Sequence, residues 1–300
     1  MSPCVKCELL TVVLISLVNL AIQSPLIDDR TASNEYLVSR DDVDAVLSEI
    51  IKPDDSVALL SDFDGTLSII NPIPALTTII PEAKDALDQL VTRSNILIGI
   101  ISGRPMYNVR TKVGIDNATY AGNHGMEIVF ANHTEFHYPI TPEIYENCTK
   151  LRNILQTEYQ EVYGGILENK NISLVFHYRF IAEHLQSKVI SEITALVKEY
   201  GYIPVPAHAA IEIKPPVDWS KGHAAQLIMN EMYGSGWEKN IRTIYMGDDT
   251  SDEDVMKMLK DKATTFRITD DPDIETFATY KMKSAYTATF ILEWLVNKTI

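Results

Sequence analysis

An apolar run that ends in two closely spaced aspartates constrains the fold of this chain more than any other feature. Residues 57–60 read Val-Ala-Leu-Leu, which is typical of a fully buried strand, and Asp62-Phe63-Asp64-Gly65-Thr66 follows. Because the two carboxylates stand at i and i+2 beyond the strand, one can attack a substrate while the other handles a proton. The Asp-Gly step turns the chain, and Thr66 adds a hydroxyl and a backbone N–H that can hold a phosphate. The segment therefore predicts a strand-end site with an aspartyl nucleophile.

Two other interpretations compete for this segment. An ordinary Asp-Gly turn at a strand end needs no chemistry at all, and on the pentapeptide alone that interpretation stays open. A calcium loop requires acids at positions 1, 3 and 5, glycine at 6 and glutamate at 12. Here Gly65 comes at position 4 and Thr66 at position 5, so the calcium loop fits poorly.

The composition excludes one class of partner. The chain has 300 residues, 46% of them hydrophobic and 22% charged, which suits one large domain or two modest ones. Its formal net charge of −15 argues against nucleic-acid binding, which needs basic patches. A phosphate site in so acidic a chain must obtain its positive charge locally, from lysine, arginine or a metal ion.

The first 24 residues are typical of a signal peptide. Lys6 precedes a mainly apolar run over residues 9–22, which matches a signal-peptide core and is shorter than the ~20 residues of a membrane span. An uncleaved N-terminal anchor is the alternative. Since Cys4 and Cys7 lie inside this segment, removing it would leave Cys148, and no intrachain disulfide would then be possible. After removal of the leader we also expect no stable membrane span.

Five Asn-x-Ser/Thr sequons accompany the leader. They begin at Asn117, Asn132, Asn147, Asn171 and Asn297. Together with the leader they favour a secreted glycoprotein of the secretory pathway, whereas a non-functional leader would leave the chain cytoplasmic.

The remaining pattern predicts an α/β fold: a Rossmann-like parallel-sheet core with an inserted α+β cap domain. Residues 25–55 read as a polar lead-in, and residues 56–125 alternate buried strands with amphipathic helices. Residues 126–214 change to two hairpins and two helices, with the first hairpin near 126–138, and are predicted to form the cap. The strand-helix pattern resumes over residues 215–300, which we expect to complete the core.

Four groups of polar side chains are predicted to meet at one edge of this sheet, because ligands of open α/β sheets sit beyond the carboxyl ends of the strands. They are Asp62 with Asp64, Ser102, Lys221, and Asp248 with Asp249. A cluster of carboxylates needs a cation, and oxygen ligands with a phosphate co-ligand point to Mg²⁺. The alternative for Asp248 and Asp249 is an acidic helix start, which favours such residues without any metal.

With these residues in order, the chain resembles the haloacid-dehalogenase-like phosphatases. Three further segments are similar to the trehalose-6-phosphate phosphatases within that superfamily. They are Gly122-Asn123-His124-Gly125, Glu168-x-Lys170 with His177-Tyr178-Arg179, and Glu212-Ile213-Lys214-Pro215. The resemblance runs from about residue 57 to residue 268.

The resemblance implies a Mg²⁺-dependent trehalose-phosphatase that hydrolyses trehalose 6-phosphate through an aspartyl-phosphate. Asp62 would be the nucleophile, Asp64 the general acid and base, and Ser102 and Lys221 would bind the phosphate. The metal residues would be Asp62, Asp64 through its backbone carbonyl, and Asp248, with Asp249 and Asp252 completing or orienting the set. The residues expected to contact the substrate are Thr66, Arg104, Asn123, His124, Glu168, Lys170, Arg179 and Glu212.

The resemblance leaves two alternatives. The same core can serve another sugar phosphate, such as sucrose phosphate or a hexose phosphate. A secreted sugar-binding relative without turnover is the other. Such proteins usually lose one residue of the catalytic set, and here the whole set is present: Asp62, Asp64, Lys221 and Asp248. Thr250-Ser251 replaces an Arg-Thr pair common in the family, and the oligomeric state is left open.

Overall fold

The computed structural model describes residues 35–207 and 209–299. The strands of this part are β1 Tyr36–Leu37, β2 Ser56–Ser61, β3 Ile96–Ile101, β4 Thr119–Gly122, β5 Glu127–Val129, β6 Glu135–His137, β7 Ile166–Asn169, β8 Leu174–His177, β9 Ile203–Ala207, β10 Ala210–Lys214, β11 Ile241–Gly247, β12 Thr264–Ile268 and β13 Tyr280–Met282. The helices are α1 Arg40–Ile50, α2 Pro81–Leu90, α3 Met106–Val113, α4 Pro142–Ile154, α5 Glu161–Tyr163, α6 Glu183–Glu199, α7 Lys221–Tyr233, α8 Thr250–Met258 and α9 Ala285–Lys298.

The strands form two sheets. The larger has nine strands in the order β1-β13-β12-β11-β2-β3-β4-β5-β6, of which the first seven are parallel and the last two antiparallel. The smaller is an antiparallel sheet in the order β7-β8-β10-β9. The predicted α/β class with a large, mainly parallel sheet is confirmed.

Strand β2 lies at the centre of the large sheet because its side chains are apolar on both faces. Val57 and Leu59 pack into one core with α1, α2 and α9, while Ala58 and Leu60 pack into a second core with α7 and α8. A strand covered on both faces reads as a continuous apolar run, which is the pattern of the sequence here. β2 pairs with β11 on one side and β3 on the other.

The small sheet has a hydrophobic core of its own. Phe176 of β8 and Ile213 of β10 are fully buried against α4 and α6, which contribute Leu151 and Ile193. This core lies within the part of the chain predicted to be the cap. The second of the two hairpins predicted for residues 126–214 is present as β7 and β8, whereas β9 was not predicted.

The structure differs from the predicted boundaries at two places. The hairpin near 126–138, assigned to the cap, is β5 and β6 of the large sheet, because the open edge of β4 pairs with β5. The described part of the lead-in is also integrated: β1 pairs with β13, and α1 buries Val43 and Leu47. The other boundaries stay predictions, and residues 1–24 lie outside the described residues.

None of the helices in residues 35–207 and 209–299 combines the length and the apolar character that crossing a membrane requires.

Candidate active site

The candidate site lies where β2, β3 and β11 end side by side. In the parallel register Ser61 of β2 lies opposite Met246 of β11 and Ile100 of β3. The next residues beyond these strands are Asp62, Ser102 and Asp248, so the sheet itself brings them together, as the sequence predicted. The N–H of Asp62 donates to the carbonyl of Met246 at 2.9 Å, which fixes the start of the turn.

A buried ammonium group joins two of the acids. Nζ of Lys221, the first residue of α7, lies 2.7 Å from Oδ1 of Asp62 and 2.8 Å from Oδ1 of Asp252. All three side chains are almost fully buried. Burial alone would lower the pKa of Lys221, but the two carboxylates outweigh it and hold that pKa above its usual value. Lys221 is therefore a fixed positive charge next to the candidate nucleophile.

The carboxylates outnumber this one ammonium. Burial raises the pKa of Asp62 well above its ordinary value; Lys221 opposes that shift, and the carboxylates of Asp252 and Asp248 add to it. Burial, followed by the neighbouring Asp252, likewise raises the pKa of Asp248 to about 7. Ionising all of these carboxyl groups would leave excess negative charge in the site, which a cation or a bound positive group would offset.

The residues present fit a divalent cation. Carboxylate oxygens of Asp62, Asp248 and Asp252 lie within 4.8 Å of one another. Oδ1 of Asp248 is buried and has no hydrogen-bond partner among the described residues. A buried, unpartnered carboxylate oxygen is costly unless a ligand satisfies it. Gly65 permits this arrangement, since a Cβ at that position would lie 2.1 Å from Oδ2 of Asp248.

The structure gives Asp252 and Asp249 different surroundings from those of Asp62 and Asp248. Oδ1 of Asp252 accepts from Lys221 and from the hydroxyl of Tyr245, and Oδ2 accepts from the N–H groups of Asp248 and Asp249. With four donors its acceptor sites are filled, so it orients its neighbours. Asp249 is exposed and caps α8 by accepting from the N–H of Thr250; the structure does not bring its carboxylate into the cluster.

Asp64 is bound by an arginine rather than by the acid cluster. Its two oxygens each lie 2.6 Å from Arg104, one from Nε and one from Nη2, as a bidentate pair. Arg104 is buried, and its Nη1 donates to Oδ1 of Asn108 at 3.2 Å. Arg104, predicted to contact the substrate, is thus placed beside the candidate acid and base; Asn108 carried no signal in the sequence.

The segment after β3 and the turn after β2 each add a hydroxyl group to the site. Oγ of Ser102 accepts from the N–H of Arg104 at 3.2 Å, so its proton is free to be donated to a ligand. Oγ1 of Thr66 is fully buried and has no hydrogen-bond partner among the described residues. A phosphate oxygen can accept a hydrogen bond from either hydroxyl.

A strained turn after β4 connects the carboxyl edge of the large sheet with the small sheet. Asn123, His124 and Gly125 have φ of 50°, 57° and 90°, a run of left-handed residues of the kind that accumulates at functional sites. Nδ2 of Asn123 donates to the backbone carbonyl of Lys170 at 3.1 Å, while its Oδ1 is buried without a partner among the described residues. Nε2 of His124 lies 3.6 Å from Oε1 of Glu212 on β10.

Two carboxylates near the small sheet are each paired with a basic side chain. Glu212 lies 2.9 Å from Nζ of Lys214, and Glu168 lies 3.5 Å from Nε2 of His177. Burial raises the pKa of Glu212, but the close approach of His124 and the nearby Lys214 and Lys170 outweigh burial and hold that pKa well below its ordinary value. The pKa of Glu168 is lowered in the same way by His177 and by Lys170. These carboxylates are ionised acceptors suited to hydroxyl groups.

Arg179 lies farther along the same surface. Its Nη1 donates to the backbone carbonyl of Pro72, in the loop that follows the Asp62 turn, at 2.8 Å. The contact joins the small sheet to the large-sheet domain at a second place. Arg179, predicted to contact the substrate, therefore donates a hydrogen bond to this loop in the structure.

Tyr245 is a site residue that the sequence did not indicate. It is fully buried in the middle of β11, and its hydroxyl lies 2.5 Å from Oδ1 of Asp252. A signal was present, since a tyrosine in an otherwise apolar buried strand needs a partner for its hydroxyl. The partner could not be identified without the register of the sheet.

A separate cleft of about 320 Å³ lies at the opposite edge of the large sheet, lined in part by Ile51, Thr243 and Thr264. None of the candidate residues contributes to it. We place the site at the carboxyl edge instead, because the buried charges and the unpartnered oxygens converge there.

The chain is similar to known proteins along most of its length. The model of the trehalose-phosphatase family matches residues 60–293. A probable trehalose-phosphate phosphatase C of Arabidopsis thaliana is 26% identical over 80% of this chain and 77% of its own length. A trehalose-phosphate phosphatase of Mycobacterium tuberculosis is 28% identical over 76% of this chain and 58% of its own length. An uncharacterized glycosyl hydrolase of the same species is 27% identical over 79% of this chain, which spans only 18% of that larger protein.

Solved structures show the same fold. The C-terminal domain of Candida albicans trehalose-6-phosphate phosphatase superposes with a TM-score of 0.71 and 20% identity, covering 89% of this chain and 99% of that one. A trehalose-6-phosphate phosphatase related protein superposes with a TM-score of 0.65 and 19% identity over 80% of this chain and 97% of its own. At these identities the likeness shows the fold alone.

Proposed function

The chain belongs to the trehalose-phosphatase family, and we propose that it hydrolyses trehalose 6-phosphate to trehalose and phosphate. The observation that carries the proposal is the buried contact of Lys221 with Asp62 beside the unpartnered oxygen of Asp248. A nucleophilic carboxylate, a fixed positive charge and a free acceptor meet at one strand end. This arrangement suits attack on a phosphate monoester, whose negative charge would otherwise repel a carboxylate.

The proposed reaction has two steps on the Asp62 carboxylate. An oxygen of Asp62 attacks phosphorus, the bond between phosphorus and the sugar oxygen breaks, and the leaving oxygen takes a proton from Asp64, which enters this step protonated and released from its pair with Arg104. Water then attacks the aspartyl-phosphate, gives its proton to Asp64, and releases phosphate and the original carboxylate. Lys221, Ser102 and Thr66 bind the phosphate oxygens through both steps.

A divalent cation, Mg²⁺ in our proposal, would be held by Asp62, Asp248 and the backbone carbonyl of Asp64. When bound, it supplies Lewis-acid stabilisation of the negative charge on the phosphate oxygens. Asp252 would not bind the cation; it accepts hydrogen bonds from Lys221 and from the loop that carries Asp248, and so holds both in place.

The sugar is proposed to lie between the left-handed turn and the small sheet. Asn123 and His124 approach from the turn, while Glu168, Lys170 and Glu212 approach from the small sheet. Ionised carboxylates accept from sugar hydroxyls, and a buried lysine or amide donates to sugar oxygens. Because a polar site rejects ligands that leave its groups unpaired, these residues would set the preference among sugar phosphates.

The test is phosphate release by the mature protein from trehalose 6-phosphate, compared with sucrose 6-phosphate and glucose 6-phosphate, with Mg²⁺ or with EDTA. Selective release that EDTA abolishes supports the whole proposal. Release from the other two sugars alone keeps the reaction and overturns the proposed substrate. No release by folded protein from any of them favours a sugar-binding relative without turnover.

We also propose that the chain enters the secretory pathway, on the basis of its leader-like first 24 residues and its sequons. The sequons differ in accessibility. Asn132 and Thr134 are exposed in the turn between β5 and β6, whereas Nδ2 of Asn147 donates to the carbonyl of Tyr200 at 3.3 Å. Expression in a secreting eukaryotic host should give a glycan on Asn132, detected as a glycosidase-sensitive mass that N132Q removes. A protein retained in the cytosol without glycans contradicts the proposal.

A further inference from the structure

Tyr245 lies between the two helices that carry the charges of the site. Its ring belongs to the hydrophobic core that contains Ala224 of α7 and Val255 of α8. Lys221 begins α7, and Asp252 lies in the first turn of α8. The side chain therefore reaches from the middle of β11 to the point where both helices meet the sheet.

The phenol shares one carboxylate oxygen with the catalytic lysine. Oδ1 of Asp252 accepts from the hydroxyl of Tyr245 at 2.5 Å and from Nζ of Lys221 at 2.8 Å. Oδ2 of the same carboxylate accepts from the N–H groups of Asp248 and Asp249 at 3.1 and 2.9 Å. One carboxylate thus receives donors from β11, from α7 and from the loop with the candidate metal ligand.

We propose that Tyr245 is a positioning residue, which holds Asp252 so that Lys221 stays on Asp62 and Asp248 stays at the metal position. This inference rests on the proposed function. Without the phenol, Oδ1 of Asp252 loses one of its two donors, and the carboxylate is free to turn towards Lys221. The ammonium would then lie closer to Asp252 and farther from Asp62, and the hold of Oδ2 on the loop would loosen.

Tyr120 provides a matched control. It is also fully buried in the large sheet, on β4, and its hydroxyl donates to the carbonyl of Ile115 at 2.9 Å and accepts from the N–H of the same residue at 3.1 Å. These contacts touch no residue of the site. Tyr120→Phe therefore removes a buried phenol and its hydrogen bonds without reaching the proposed chemistry.

The experiment compares Tyr245→Phe with Tyr120→Phe in the full chain, using kcat and KM, Mg²⁺ binding by calorimetry, and Tm. Removing a residue that orients a metal site typically costs 10–100-fold in activity or metal affinity. We expect Tyr245→Phe to lower kcat by roughly 10–100-fold and to weaken Mg²⁺ binding, with a smaller change in KM. Tyr120→Phe should lower Tm and leave kcat and Mg²⁺ binding close to wild type.

A purely structural tyrosine would give a different pattern. If Tyr245→Phe lowers Tm as Tyr120→Phe does but leaves kcat and Mg²⁺ affinity near wild type, the inference is overturned. Replacing Tyr245 with 3-fluorotyrosine, which keeps the ring and the hydroxyl, should preserve kcat; a loss as large as that of Tyr245→Phe would also overturn it.

An aryl phosphate substrate and Mg²⁺ binding separate this inference from the proposed function. If wild-type protein hydrolyses p-nitrophenyl phosphate but not trehalose 6-phosphate, the substrate proposal fails, and kcat on the aryl phosphate still tests Tyr245. If the wild type is inactive on both, Mg²⁺ binding alone decides: equal affinity in wild type and Tyr245→Phe overturns the positioning role.

Discussion

Replacing Gly65 by alanine tests whether the turn after Asp62 sets the position of the proposed metal ligand. Gly65 has φ of +80°, and a Cβ there would lie 2.1 Å from Oδ2 of Asp248, whereas real Cβ contacts under 3.0 Å are essentially never seen. Either the carboxylate or the turn must therefore move by about 1 Å, and a misplacement of that size in an active site can cost roughly 100-fold in rate. We expect kcat/KM to fall by about that factor.

Gly164 separates this effect from backbone strain. It also has φ of +80°, but a Cβ there meets no atom within 4 Å. In both variants alanine in the left-handed conformation costs roughly 1–2 kcal/mol of stability. Gly164→Ala should therefore lose a similar amount of stability while keeping activity and Mg²⁺ binding.

The assay measures phosphate release as a function of Mg²⁺, together with thermal unfolding of both variants. The expected result is a fall in Tm for both variants, at least as large for Gly65→Ala, with lost activity and weaker Mg²⁺ binding for Gly65→Ala alone. A Gly65→Ala variant that retains the activity of Gly164→Ala, or an equal loss of activity in both variants, would contradict a role for Gly65 in positioning Asp248.

Three other predictions follow from the site. Asp62→Asn should abolish turnover at nearly unchanged Tm, and substantial residual activity would contradict its assignment as nucleophile. Arg104→Gln, which removes both contacts to Asp64, should lower kcat by at least roughly tenfold, while Asn108→Ala should cost less; equal losses would contradict a role for the bidentate pair. Because the folded pKa of Glu212 is depressed, its ionised form stabilises the fold above about pH 4.5, and this stabilisation is lost as the pH falls further. Glu212→Gln should therefore flatten the fall of Tm with pH in that range, and an unchanged curve would contradict the shift.

The sequence predicted those parts of the fold and site that depend on local pattern. The apolar runs identified β2, β3 and β11, and the rule that ligands lie beyond the carboxyl ends of parallel strands brought Asp62, Ser102 and Asp248 together. The buried contact of Lys221 with Asp62 agrees with the predicted proximity of these residues. The roles of the individual residues remain predictions.

Features that depend on contacts between distant parts of the chain could not be predicted from the sequence. The alternation of residues 126–138 indicated a hairpin, but whether it joins β4 or the small sheet depends on which edge is open in three dimensions. From the sequence alone, Arg104 could contact either the sugar or Asp64. The contact with Asp64 depends on how closely the loops after β2 and β3 approach each other in three dimensions. Asp249 and Asp252 carry the same functional group, yet one caps a helix at the surface and the other is buried with four donors.

The order of the strands also governs how the chain folds as it leaves the ribosome. β2 ends at Ser61, and its central neighbour β11 begins only at Ile241, about 180 residues later. At ~5–20 residues per second, this interval lasts roughly 10–40 s. During it one edge of an apolar strand has no partner, which is a template for pairing with other chains. The yield of folded protein should therefore depend on chaperones that bind β2 until β11 has been synthesised.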